Sequence, residues 1–524
     1  MMRILSLSLL LIAFSLKAQD LPEFRVYLKD KGSSIQILDQ PELFLSQEAI
    51  LRRTLQGIKI KKSDLPLAPE YRKALKDLGA DIKAHSKWMN YVYIEHPQPE
   101  LIASLGFVEK IEFPKAHQSN LAAVSSTDTF NYGFGRTQIE MLNGDKLHQR
   151  GFTGSGITIA VIDAGYIGYF QARALDSLRN SPRYKGSWNF ISSDTNVFAG
   201  NGSHGASVLS TMAAFIPDTF VGSAPRANYW LLSSENIAHE RPIEMDHWAM
   251  AAEFADSVGA HVINSSLGYT TFDNASNDFS YADLDGNTTV VTKAADMAAS
   301  KGILVVASVG NSGASSWRFL GAPSDGDSVL AVGAVSFQND YASFSSRGPS
   351  ADGRVKPDVV AQGSPATITD FRGDISIGFG TSFSSPIIAG MAACLIEAQP
   401  TKHSEEIADQ IRRSAHLYST PNDSMGYGIP NFDLAYLLNQ PQYAAQEKSF
   451  DVYPNPVQDF LVIDAKGLKN WQVEVQILDL NGRLVKHSSL EAFDAARINL
   501  DLESGIYQLV LSGDFQGIHK IWVR

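Results

Sequence analysis

Three patterns of apolar and polar positions follow one another along this chain. In the middle, residues 157–162 (Ile-Thr-Ile-Ala-Val-Ile) are almost continuously apolar and β-branched, and 261–264, 303–307 and 329–332 repeat the pattern. Runs of this kind, separated by helical stretches, predict a mostly parallel sheet with helices on both faces. This α/β region is expected over 130–440. Upstream, 24–28, 91–94 and 108–113 alternate like half-buried strands. Residues 46–55 and 68–78 have helical spacing, and Pro99 opens a further short helix. A small α+β domain is predicted over 19–120, with the polar stretch 117–129 as a linker. Downstream, 473–478, 505–511 and 518–524 alternate, and Asn481-Gly482 marks a hairpin turn. An all-β sandwich is expected over 445–524.

Composition narrows the class. The 524 residues suit two or three domains, and 44% hydrophobic with 19% charged residues is a globular mixture. A net charge of −12 gives no electrostatic footprint for nucleic acid. The single cysteine, Cys394, excludes an intramolecular disulfide and reads as an inert residue in an apolar helix. Met1-Met2-Arg3, the apolar run 4–16 and the small residue Ala18 read as a signal peptide over 1–18. That run is shorter than the roughly 20 residues a spanning helix needs. No transmembrane segment is expected in the mature chain.

The chemistry centres on Gly380-Thr381-Ser382-Phe383-Ser384-Ser385-Pro386, followed by an apolar small-residue run. Proline lacks an N–H and suits a helix's first turn, so Ser382 is expected at or just before a helix N-terminus. Free N–H groups there favour negative charge, although an ordinary capping serine gives the same pattern. Asp163 ends the strand 157–162, where it could cap a turn or orient an imidazole. His204 lies in Gly202-Ser203-His204-Gly205, whose glycines allow close backbone approach. Asn311, in Val309-Gly310-Asn311, is either a turn residue or an amide aimed at an oxyanion.

The order Asp163, His204, Asn311, Ser382, with Val262-Ile263-Asn264-Ser265-Ser266-Leu267-Gly268 and Lys356-Pro357-Asp358-Val359-Val360-Ala361, resembles the subtilases, subtilisin-like serine endopeptidases. The resemblance covers about 130–440. It implies Ser382 as nucleophile, His204 as base, Asp163 as its orienting partner, and Asn311 with the Ser382 N–H as oxyanion hole. It also implies that Ser265, Ser266, Leu267 and Gly268 line the pocket for the residue before the cut. The segment 232–234 would pair with extended substrate, and Ala322-Pro323-Ser324 is a candidate pocket floor. Two hydroxyls of the family pattern are missing, since Ala164 follows Asp163 and Ala206 follows His204-Gly205.

The flanking regions fit this resemblance. Residues 19–120 have the place of a prosegment, with processing expected within 117–129. The tail resembles the C-terminal sorting domain of type IX secretion cargo, through Val452-Tyr453-Pro454-Asn455-Pro456, Gly505-Ile506-Tyr507 and Lys520-Ile521-Trp522-Val523-Arg524. The implied partners are protein or peptide substrates and the type IX machinery, with export through the periplasm to the surface or medium. No cofactor is expected for the chemistry and no metal-ligating residue is assigned. Asp283-Leu284-Asp285-Gly286-Asn287 has the oxygen spacing of a calcium loop but lacks the downstream glutamate, so a solvated turn competes with structural calcium. From another class, the alternative is a catalytically silent, subtilase-shaped surface binding or adhesion protein. A general serine hydrolase would want Gly-x-Ser-x-Gly, which Ser382 lacks.

Overall fold

Alternation in the first region produces a sheet with two different faces. The computed structural model describes residues 21–113, 132–200, 202–438, 451–464, 470–479, 484–492, 495–513 and 517–524. The expected signal peptide, the linker 117–129 and the Asn481-Gly482 turn lie outside these residues. Strands β1 (Glu23–Leu28), β2 (Asp81–Ser86), β3 (Tyr91–Glu95) and β4 (Val108–Glu112) form an antiparallel sheet in the order β2-β3-β1-β4. Val92 and Ile94 pack inward with Leu75 of helix α2 (Pro69–Asp77). Tyr91 and Tyr93, one residue out of phase, share a core with the second region. Helix α1 (Gln47–Leu55) is capped by Ser46, whose hydroxyl accepts the Ala49 N–H at 3.1 Å. Strand β2 was not foreseen, because Asp81-Ile82-Lys83-Ala84-His85-Ser86 is largely polar.

Seven parallel strands build the second region. They are β5 (Thr158–Asp163), β6 (Tyr184–Asn189), β7 (Asn228–Ser233), β8 (Val262–Ser265), β9 (Leu304–Ser308), β10 (Val329–Ser336) and β11 (Val359–Ser364). Their order is β11-β10-β9-β8-β5-β7-β6, and every pairing is parallel. Both faces are covered. Ile159 and Val161 join α3 (His204–Ala213) and α6 (Thr381–Ala398) in one core. Ala160 and Ile162 join α4 (Ile243–Ser257) and α5 (Val290–Ser300) in the other. Continuous apolar strands are what a doubly covered sheet requires.

Helix α6 corrects one expectation. It begins at Thr381, so Pro386 lies in its second turn and not its first. It is also long and apolar enough to cross a bilayer, yet it is buried against the sheet. Its apolar surface is thus covered by the protein's own core. After the hairpin β12 (Ala366–Thr369) and β13 (Ile375–Gly378), the tail contributes β14 (Asp451–Tyr453), β15 (Phe460–Asp464), β16 (Trp471–Leu478), β17 (Leu484–Ala492), β18 (Ala495–Asn499), β19 (Gly505–Gly513) and β20 (Gly517–Val523). These form antiparallel sheets ordered β14-β15-β18 and β17-β16-β19-β20, with one shared core around Val475, Leu461 and Ile521.

The first region is bound to the second by buried ion pairs along α4. Arg25 donates through Nε and Nη2 to the two oxygens of Asp246 at 2.7 and 2.6 Å. Arg52 and Arg53 both reach Asp256, at 2.5 and 2.7 Å. Glu253 accepts from the Lys87 and Trp88 N–H groups at 2.9 and 3.0 Å, and from the Ser86 hydroxyl at 2.5 Å. Asp64 pairs with Arg53 and with Lys301 at 2.7 Å. Removing one member of a buried pair strands the other charge, at a cost of about 3–5 kcal/mol. Asp256→Ala in the uncut chain is therefore expected to lower unfolding stability by about that amount. A denaturant titration against the unsubstituted chain checks this, and a shift under 1 kcal/mol contradicts it.

Candidate active site

All the polar groups in question lie at the carboxyl end of the parallel sheet. Asp163 is the last residue of β5, and its side chain is fully buried. His204 is the first residue of α3. Gly205 brings the two together, since a Cβ there would fall 2.9 Å from Asp163 Cβ and 2.8 Å from the Gly165 carbonyl. The His204 Nδ1–H donates to Asp163 Oδ1 at 2.7 Å, and the same oxygen accepts the Ala164 N–H at 2.8 Å. Burial alone would lower the imidazole pKa, but the Asp163 charge and hydrogen bond outweigh it and raise the value above 6.5. Asp163 Oδ2 is buried, with no hydrogen-bond partner among the described residues. The residue beside it is Ala164, where the family pattern has a hydroxyl.

Ser382 occupies the second position of α6, within the first turn, whose N–H groups have no acceptor inside the helix. Pro386 cannot donate to the carbonyl four residues back, which is that of Ser382. The Ser266 hydroxyl donates to this carbonyl instead, at 2.8 Å. Ser266 in turn accepts from Asn264 Nδ2 at 3.3 Å, and Asn264 Oδ1 accepts the Ser385 hydroxyl at 3.1 Å. A polar chain therefore fastens β8 to the start of α6.

Asn311 is oriented by a residue whose role the sequence reading missed. Its Oδ1 accepts both the N–H and the hydroxyl of Thr381, at 2.9 and 3.1 Å, while Thr381 Oγ1 accepts the Gly310 N–H at 3.2 Å. Fixing the carbonyl end leaves the Asn311 amide nitrogen as the donor end. Thr381 adjoins Ser382 in the quoted motif, so the signal was present without its geometry.

His204, Asn311, Ser382, Ser266, Leu267 and Gly268 line one cavity of about 360 Å³, whose wall includes Ala164 beside Asp163. No hydrogen bond between Ser382 Oγ and His204 is found among the described residues. Such contacts often tighten only with substrate. Ser265 is placed elsewhere. It is fully buried, and its hydroxyl accepts the Trp248 indole N–H at 2.9 Å. The suggested floor, Ala322-Pro323-Ser324, is also set back; Gly321 and Phe319 reach the cavity in its place. A larger cavity, about 770 Å³, contains none of these groups.

Two acidic features remain, of which only the second reaches the cavity wall. In the calcium-like loop, Asp285 accepts the Asn287 and Thr288 N–H groups at 2.8 Å, and Asp283 accepts the Ser280 N–H at 2.7 Å. Those carboxylates are engaged by their own turns. Sequence reading missed a second group, Glu235, Glu240 and Glu244, whose nearest carboxylate oxygens all lie within 4.8 Å of one another. This spacing could hold a cation, in contrast to the expectation that assigned no ligating residue. Burial and the like-charged neighbours raise all three pKa values, Glu240 to about 7 and Glu244 to about 8. Nothing in the spacing along the chain announces this cluster, because a loop folds it together.

Comparison with known proteins agrees with the architecture. Residues 154–428 match the Subtilase family, 23–129 match the peptidase S8 propeptide domain of Bacteroidota, and 451–524 match the secretion system C-terminal sorting domain. Subtilisin E of Bacillus subtilis (strain 168) is 32% identical over 300 residues, covering 57% of this chain and 70% of that protein. Subtilisin of Bacillus pumilus is also 32% identical over 300 residues, covering 57% of this chain and 97% of the relative. This chain belongs to the subtilase family of serine-type endopeptidases, with a propeptide domain before its peptidase domain and a secretion sorting domain after it.

Proposed function

We propose that this subtilase hydrolyses peptide bonds through Asp163, His204 and Ser382, with Asn311 and the Ser382 N–H as the oxyanion hole. The observation that carries this reading is the 2.7 Å His204–Asp163 bond opening onto the cavity that Ser382 and Asn311 also line. Ser382 Oγ attacks the scissile carbonyl, and the free His204 nitrogen takes its proton and delivers it to the leaving amine. Asp163 holds the imidazole in the required tautomer and offsets the positive charge that forms on it. The oxyanion is received by the Asn311 amide and the first-turn N–H of Ser382, donors fixed before the reaction starts. A silent binding scaffold would have no physical need for this set of aligned donors.

The protein is made as a proenzyme on this reading, and its own Ser382 cuts within 117–129. The sorting domain directs the chain through the periplasm and out of the cell. Deleting 445–524 is expected to leave active enzyme inside the periplasm. Immunoblots of cell fractions test this, and normal surface delivery of the shortened chain contradicts it.

Ser382→Ala is expected to abolish hydrolysis and to leave the propeptide attached. Full peptidase activity in that variant removes the mechanism. Asn311→Ala should reduce kcat by about a hundred- to a thousandfold with little change in KM. Only neutral His204 accepts a proton, so a raised pKa confines activity to higher pH. The acid limb of kcat/KM should therefore have its midpoint above the ordinary 6.5. Asp163→Asn should move that midpoint down while slowing the reaction, as read from a pH–rate profile.

A further inference from the structure

We propose that this peptidase selects substrates with a basic side chain, lysine or arginine, upstream of the cleaved bond, held by Glu235 and Glu240. The inference rests on the peptidase reading above and names its substrate class. The expected pairing of 232–234 with substrate does not hold, because both edges of β7 are taken by β5 and β6 and these residues are buried. Glu235, just beyond them, is the first residue of this segment to reach the cavity. Its carboxylate accepts the hydroxyl of Tyr269, the residue after Gly268 on the opposite wall. Glu235 thus ties the segment 235–237 to the segment 266–268, both of which line the cavity that holds Ser382. Glu235 and Glu240 line the same cavity as His204 and Ser382. Glu244 lies behind them, accepting the Asn236 and Arg241 N–H groups at 2.7 Å each and so fixing the loop that carries Glu240.

No lysine or arginine forms an ion pair with these three glutamates among the described residues. The nearby cations are engaged elsewhere: Arg241 with Glu23 at 2.6 Å, Lys83 with Asp81 and Glu95, and His239 with Asp273. Three carboxylates crowded into a partly desolvated wall repel one another, and a cation entering the cleft relieves that repulsion. What enters this cleft is a peptide. The chain's own sequence offers a matching one. Lys115 and His117 are basic, whereas 118–131 contains no lysine, arginine or histidine. A cut just after residue 118, 119 or 120 places Lys115 or His117 among the four positions before it, with Arg136 on the other side.

The test uses the processed enzyme and matched peptides that differ only by lysine, arginine, norleucine or glutamate at each of the four positions before the cut. At one position the basic peptides should show kcat/KM about tenfold or more above norleucine, with glutamate lowest. Glu240→Gln should bring the basic-to-norleucine ratio near one. This residue is only half-buried, so it serves even if Glu235→Gln fails to fold. Equal rates for basic and norleucine peptides at all four positions, or an unchanged ratio in Glu240→Gln, overturn the inference while leaving the peptidase reading intact. Cleavage of no peptide at all overturns both. If EDTA lowers the melting temperature of the unsubstituted enzyme but not of Glu240→Gln, a divalent cation holds these carboxylates and the inference fails.

Discussion

A parallel sheet buried on both faces has only its ends available for polar chemistry, and the rest of this molecule follows from that constraint. Ile159, Val161, Ala160 and Ile162 are spent on two separate cores, so β5 meets solvent-facing chemistry only at Asp163. The same holds for β7, β8 and β9, whose ends lead to Glu235, Ser266 and Asn311. Residues far apart in sequence are gathered because every strand points the same way. Antiparallel pairing would have distributed them between two ends.

The start of α6 shows how the edge is made rigid as well as polar. A proline inside a helix frees a carbonyl and would ordinarily leave a buried acceptor unsatisfied. Here the freed carbonyl belongs to Ser382, and Ser266 fills it. Ser266 is braced by Asn264, and Asn264 by Ser385 of the same helix. The apparent defect is thus a closed hydrogen-bonded loop between strand and helix. It fixes the backbone whose N–H groups face the cavity, while Thr381 fixes Asn311 from the other side.

What was legible in the sequence follows the same physics. Strands buried on both faces advertise themselves by uninterrupted apolar runs, so β5, β8, β9 and β10 were found. Strand β6, Tyr184-Lys185-Gly186-Ser187-Trp188-Asn189, lies at the sheet edge and is half polar, so it gave no such signal. Asp163, His204 and Ser382 stand out as candidates because short motifs surround them, and the fold brings His204 and Ser382 to one cavity with Asp163 bonded to His204. The bond from the Trp248 indole N–H to the Ser265 hydroxyl was not legible, because nothing in the run 262–268 tells which of two adjacent serines turns into the core. The start of α6 was misplaced because the position of Pro386 was inferred from preference alone, without the Ser266 hydroxyl that makes it tolerable. Glu235, Glu240 and Glu244 read as scattered surface acids, and only the fold of the intervening loop makes them one group.

The propeptide interface adds a second consequence of where charge is placed. Asp246, Glu253 and Asp256 lie on one stripe of α4, and the propeptide supplies Arg25, Arg52, Arg53 and the N–H groups of Lys87 and Trp88. A wholly apolar stripe would also hold the propeptide, but its removal would expose a larger contiguous apolar patch than the one Tyr91 and Tyr93 cover. Carboxylates behave differently on the two sides of that event. Assembled, each is paired in a region that excludes water, where losing a partner is costly. Separated, each regains full hydration, and the helix presents an acidic surface that resists reassociation with other apolar surfaces. Charge pairing thus fixes how the propeptide lies on α4 beside the apolar contact of Tyr91 and Tyr93, since any other placement would bury a carboxylate without its partner. It also leaves that helix less apolar than a wholly hydrophobic contact would.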